Sequence, residues 1–391
     1  MREEPGETRV MIDARYIREQ TSGIGRYTEN IISQMLELRP KLSLSLITHP
    51  SRPEPFEHER VSCQVFDAPP NSPSTRFRIS RKLDMEGVDL FHSPFNFLPG
   101  KLPVPAVFTL HDIMWLLDPS YCTQSRLRQV VSGTFYGQFI PRSVREAVQV
   151  MTVSHSSREA IEEHFPEVKG RVHVTYNGLD PFFHELPEEE AWATISRYIP
   201  PRRRFVLVVG QGSPYKNHSG ALAGFIEAFR DDPQMYFVLV RRFERGGDSE
   251  LEELMQDPSL NSRLINLSYV SGEELRALYN AAFCFLFPSI YEGFGLPALE
   301  AMACGTPVVT SDSGAPAEIC GEGAVKVDPR DVSAIARALR SLAEDEDHWK
   351  SVAAKGKARA AEFTWQRSAE QVLSVYDRAL AVAQAAREAK G

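Results

Sequence analysis

The chain has 391 residues, enough for two ordinary domains, and its 42% apolar and 25% charged content is that of a globular protein. A net charge of −8 gives no electrostatic reason to bind nucleic acid, and no run of about 18 apolar residues marks a membrane-spanning helix. Cys63, Cys122, Cys284, Cys304 and Cys320 form no CxxC pair, and the chain starts acidic and polar. These features point to reduced thiols, no structural zinc and a cytoplasmic setting.

Taken in order, a strand is predicted over 9–14, then a Gly-containing loop and a helix over 25–38. Strands follow at 42–48, 88–93, 105–112, 148–154 and 171–180, with helices near 126–148 and over 154–165, the latter opened by a Ser cap. The charged, Pro-bearing stretch 185–204 is weakly patterned and reads as a linker. A second alternation starts at 205–210 and continues through strands at 234–240, 263–269, 283–289, 306–311 and 323–329, and the tail from about 331 to 385 is helical. Strands alternating with helices predict an α/β fold of two Rossmann-like, doubly wound domains facing a cleft. Their ligands belong beyond the carboxyl ends of the strands.

The most informative stretch is "YEGFGLPALEAMACGTPVVTS" at 291–311. Pro297 suits the first residue of a helix and Gly305 its end. Glu300 then lies one turn in, and Glu292 lies in the preceding loop. Gly293 and Gly295 permit positive φ and close backbone approach. The amides of Phe294, Gly295 and Leu296 point outward at the helix start, where the dipole favours an anion. Carboxylates there accept hydrogen bonds from hydroxyls, so the motif suits a ligand carrying phosphate and hydroxyls together. A glutamate that only complements the helix dipole accounts for one of the two, not both.

This stretch resembles the E-x7-E signature of retaining glycosyltransferases, especially the mannosyltransferase-like members of glycosyltransferase family 4, which have the GT-B fold. The resemblance implies a nucleotide-sugar donor, with Glu300 on its ribose, Glu292 on its sugar, and the amides of Gly293, Phe294, Gly295 and Leu296 lining the sugar and phosphate. It implies an acceptor-binding domain over 1–185, a linker over 186–204, a donor-binding domain over 205–365, and a helix over 366–391 packing back towards the first domain. "TSGIGRYTENII" (21–32) is similar to the family's N-terminal glycine loop, whose amides at Gly23, Ile24 and Gly25 meet the donor diphosphate or the acceptor. Read unaided, it is equally a plain turn, and as a dinucleotide fingerprint its G-x-G-x-x-T is incomplete. "FTLHDIMWLLDPSYC" (108–122) resembles the family's HD segment, which puts His111 at the transferred sugar and Asp112 in support of the loop.

"VGQGSPYKNHSG" (209–220) resembles the phosphate loop, with Lys216 and Asn217 matching its KN. Gln211 and Tyr215 stand where arginine is common. The expectation is that Arg241 or Arg242 supplies the missing charge; a solvated surface pair is the plain alternative. The resemblance further implies retention by a front-face route, with no protein nucleophile, no cofactor and no metal. Asp345-Glu346-Asp347 reads as a solvated helix face rather than a metal site. The basic "RFRISRKL" (76–83) suits an anionic acceptor or a peripheral membrane contact, although the acidic residues around it favour an ordinary surface. The expected reaction transfers a hexose, from GDP-mannose in preference to UDP-sugars, to a glycan or lipid-linked acceptor, as in polysaccharide or glycoconjugate biosynthesis. Rival readings are a nucleotide-sugar epimerase and a non-catalytic nucleotide-sugar-binding protein; an NAD-dependent dehydrogenase lacks its full fingerprint.

Overall fold

The computed structural model describes residues 7–19, 22–242 and 248–389. These fall into two units, one within Met1–Ile113, Thr134–Gly178 and Thr364–Gly391, the other within Met114–Gly133 and Leu179–Phe363.

The first unit holds seven strands: β1 (Thr8–Asp13), β2 (Leu42–Thr48), β3 (Val61–Val65), β4 (Leu90–Ser93), β5 (Ala106–Thr109), β6 (Gln149–Thr152) and β7 (Val172–Val174). They pair in parallel in the order β3-β2-β1-β4-β5-β6-β7. Central strands buried on both faces need apolar residues at every position, and Val10, Met11 and Ile12 of β1 are all buried. Ile31, Ile32 and Met35 of the helix Gly23–Leu38 share one core with Val372, Leu373 and Tyr376 of the C-terminal helix Trp365–Glu388. The chain enters that last helix so close to Gly178 that a β-carbon on it would collide with the Trp365 backbone nitrogen.

The second unit holds β8 (Arg204–Gln211), β9 (Met235–Arg242), β10 (Leu264–Leu267), β11 (Cys284–Phe287), β12 (Val308–Ser311) and β13 (Ala324–Val327), parallel in the order β10-β9-β8-β11-β12-β13. The strand order reverses between β8 and β11, and a ligand crevice belongs outside their carboxyl ends.

Several boundaries differ from those read in the sequence. The supposed linker contains a helix, Glu188–Ile195, whose Ala191 and Ile195 are buried and which packs on the helix Gly272–Ala281. Three glutamates in its first turn suit the helix dipole but mask the short apolar pattern. Residues 114–133 group with the second unit rather than the first. The strand β3 was not anticipated: it is an edge strand whose residues are only partly covered. Among the described residues no helix is long and apolar enough to cross a membrane.

Candidate functional site

In the second unit the strand-end turns are tied together. After β8, a short 3-10 turn, Pro214–Lys216, leads to Asn217 in the left-handed region at φ 54°. Asn217 Nδ2 donates to the carbonyls of Pro288 (3.2 Å) and Pro329 (2.6 Å), so this side chain, expected at the donor, also locks three loops to one another. The Ile290 amide donates to the Tyr215 carbonyl at 2.8 Å. The loop after β11 turns through Gly295, at φ 119°, into the helix Leu296–Ala303 with Pro297 in its first turn; Gly305, at φ 78°, follows its end. Phe294 is buried, edge-on to Phe363.

This tie brings together two residues that the sequence keeps far apart. Lys216 Nζ donates to Glu292 Oε1 at 2.6 Å, and the side chains are only 9% and 11% exposed. The ammonium also lies 5.0 Å from the Tyr215 ring centroid and 4.9 Å from that of Phe287, within cation–π range. Glu300, one turn into the helix, accepts a hydrogen bond from the buried Tyr279 hydroxyl at 3.0 Å.

Arg241, whose plain alternative was a surface position, is buried on β9 opposite Gly210 of β8. The Arg242 side chain lies outside the described residues, and Gln211 is exposed. Beside Arg241 and Lys216 sits His218, not singled out from the sequence although it directly follows Asn217. It is 4% exposed, and its Nε2 has no hydrogen-bond partner. Burial, reinforced by the positive charges of Arg241 and Lys216, pushes its pKa down to about 3, so the ring is neutral. Two cations and a buried neutral imidazole thus gather at the carboxyl ends of β8 and β9.

In the first unit, His111 follows β5. Its Nε2–H donates to the Pro94 carbonyl at 2.9 Å, which leaves Nδ1 as the acceptor of the neutral ring. Burial lowers its pKa, and the Pro94 carbonyl opposes the shift. The Tyr27 ring packs edge-on against it at 5.0 Å. The Tyr27 hydroxyl meets Thr109 Oγ1, which meets His92 Nε2, whose Nδ1 meets the Tyr376 hydroxyl at 2.7 Å. The helix containing Gly23 and Ile24 is capped by Ser22, whose hydroxyl takes the Gly25 amide at 3.2 Å, so that amide already has a partner.

One surface expectation changes, at Arg76, and one holds, at the exposed 345–347 helix start. Arg76 of the basic segment is buried, donating to both carboxylate oxygens of Glu146 and to the Leu98 carbonyl, which leaves Arg78, Arg81 and Lys82 as the exposed cations. Asp345 is the N-cap of the helix Glu346–Ala360, and Glu346 pairs with Lys350. A cavity of about 760 Å³, lined by Trp192, Arg203, Phe283 and Trp349, opens at the amino-terminal edge of the second sheet; it touches the main motif only at Cys304 and Gly305, past the end of its helix, and Lys216, Glu292 and Glu300 do not line it.

Comparison with known proteins bears on the family and the fold. Residues 21–182 match the family described as Glycosyltransferase Family 4, and 195–359 match Glycosyl transferases group 1. The O-antigen chain mannosyltransferase B of Escherichia coli is 32% identical over 289 residues, covering 73% of this chain and 74% of the relative. The MMP alpha-(1->4)-mannosyltransferase of Mycolicibacterium hassiacum is also 32% identical over 289 residues, covering 72% of this chain and 67% of its own. The crystal structure of Anabaena HepE in complex with UDP and glucose superposes with a TM-score of 0.70 at 18% identity, covering 95% of this chain and all of that one. The fold is therefore that of the GT-B glycosyltransferases, with two parallel-sheet, Rossmann-like domains.

Proposed function

This chain belongs to glycosyltransferase family 4, and from that premise we propose that it is a retaining hexosyltransferase. In this reading it moves mannose from GDP-mannose to a hydroxyl of a glycan or lipid-linked sugar, in polysaccharide or glycoconjugate assembly. The observation that carries the reading is the meeting of Lys216 and Glu292 beyond the carboxyl ends of β8 and β11, beside an anion-favouring helix start. The mannosyltransferase relatives support the sugar. UDP in the HepE complex makes UDP-sugars the alternative donors to test.

The mechanism follows from charge and placement. The bond from the anomeric carbon to the diphosphate oxygen breaks as the acceptor oxygen bonds to the same face, and the departing diphosphate takes the acceptor proton. Lys216 and Arg241 counter the charge that grows on the leaving group, so no metal is invoked. Glu300, steadied by Tyr279, holds the ribose; Glu292 takes sugar hydroxyls; His111 offers Nδ1 as an acceptor.

A panel of sugar nucleotides tests this by thermal shift and turnover, with and without EDTA, on wild type and Glu300→Ala. A donor that stabilises only the wild type identifies base and sugar, and NMR of the product gives its anomeric configuration. No stabilisation and no consumption of any sugar nucleotide defeats the reading, and conversion of a donor without acceptor replaces it with epimerisation. We also propose a peripheral contact with anionic lipid at the cytoplasmic membrane face. It is supported by Phe77, 57% exposed among Arg78, Arg81 and Lys82. Liposome sedimentation that is indifferent to anionic lipid removes it.

A further inference from the structure

Under the donor reading, Lys216 and Glu292 each have a partner other than each other: the diphosphate for Lys216, the sugar hydroxyls for Glu292. In the structure they are bonded to one another, and both are nearly withdrawn from water. The two turns that carry them cannot easily drift apart, because the Ile290 amide holds the Tyr215 carbonyl and Asn217 holds the Pro288 carbonyl. A donor must therefore exchange the partners of a ready-made ion pair.

We infer that Glu292 sets the site's preference for an intact sugar nucleotide over a free nucleoside diphosphate, by competing with the diphosphate for Lys216. This rests on the donor reading above. A diphosphate that draws the ammonium away strands a carboxylate that is only 11% exposed, and a buried charge without its partner is strongly disfavoured. An intact donor answers that loss, since its sugar hydroxyls donate to Glu292. A free nucleoside diphosphate has no such hydroxyls to offer. After transfer the sugar leaves on the acceptor, Glu292 regains Lys216, and the leaving nucleotide is loosened. Glu292 thereby has two roles: it recognises the sugar before transfer and helps release the product after it.

Calorimetric titrations of GDP, GDP-mannose, UDP and UDP-glucose into wild type, Glu292→Gln, Lys216→Met and the double variant test this. Glu292→Gln should tighten the nucleoside diphosphate about tenfold or more and the matching sugar nucleotide far less, so the ratio of the two affinities falls about tenfold. In the Lys216→Met background the Glu292→Gln substitution should leave diphosphate affinity unchanged, because its benefit acts through Lys216. An unchanged or weakened diphosphate affinity in Glu292→Gln overturns the inference, as does a gain that persists without Lys216. If Glu292→Gln does not fold, Glu292→Asp keeps the charge and shortens its reach, and should lower the ratio partway; an unchanged ratio there also overturns it. Failure of every nucleotide to bind wild type defeats the donor reading itself, whereas binding with a Glu292-independent ratio defeats only the competition.

Discussion

Replacing Lys216 with Met keeps an unbranched side chain between Tyr215 and Phe287 and removes only the charge. At an effective dielectric of about 20, unit charges roughly 3 Å apart attract by some 5–6 kcal/mol. Withdrawal of both charges from water offsets most of that, so the pair as a whole adds little over an apolar pair of similar size, while leaving one charge behind costs about 3–5 kcal/mol. At 9% and 11% exposure, solvent screening gives no reason to discount the figure. Lys216→Met and Glu292→Leu should therefore each destabilise the second unit by about 3–5 kcal/mol, and the double variant should return to within about 1.5 kcal/mol of wild type. For a unit of roughly 200 residues, where 1 kcal/mol moves Tm by about 2–4 °C, each single variant should melt roughly 6–20 °C lower. Scanning calorimetry on the four proteins closes the cycle, and the coupling should survive 0.5 M salt, about the range over which exposed pairs fade. Single losses below about 1 kcal/mol that simply add would refute a coupled, desolvated pair.

Tyr279→Phe removes the hydroxyl that steadies Glu300, and should raise the donor KM by about fivefold, the equivalent of one hydrogen bond of about 1 kcal/mol, with a stability loss of similar size; an unchanged KM argues against Glu300 as the ribose ligand. Arg263→Lys should cost about 2–4 kcal/mol in urea unfolding, because the buried guanidinium reaches the carbonyls of Phe229, Asp232, Met235, Arg230 and Ser259, and an ammonium cannot span them. Gly178→Ala should cost about 1–3 kcal/mol and expose the C-terminal helix to limited proteolysis, since the new methyl meets backbone atoms of Trp365 that have little freedom to yield. His92 and His218, each held down to about 3 chiefly by burial, bind fewer protons folded than unfolded between pH 3 and the ordinary value of 6.5. Their contribution is complete above about pH 6.5 and falls by up to about 1.4 kcal/mol per pH unit for each on acidification. His218→Leu should flatten the acid side of a Tm-against-pH curve without loss at pH 8, and an unaltered acid limb contradicts a buried neutral ring.

Much of the fold is local and was legible. Apolar runs such as 205–210 and 283–289 are strands because both sheet faces are covered, and β8 and β11 stand where those runs predict. The serine before 155–164 does cap that helix, and Gly305 does take positive φ after the helix of the main motif. The helix inside 185–204 was hidden because it buries little more than Ala191 and Ile195, too few contacts for periodicity to rise above its charge.

The sequence by itself determined the alternation of strands and helices, the anion-favouring turn around Gly295 and the resemblance to the family, because each is encoded within a window of about twenty residues. Tertiary structure alone decided which charges meet. Lys216 and Glu292 are 76 positions apart and touch because β8 and β11 are neighbours in the sheet. Arg241 is buried because β9 runs beside β8, and Arg76 leaves the surface because Glu146 reaches it. Charge is written in the residue, but its burial and its partner are properties of the packed sheet, and here they turn separate motif residues into one coupled site.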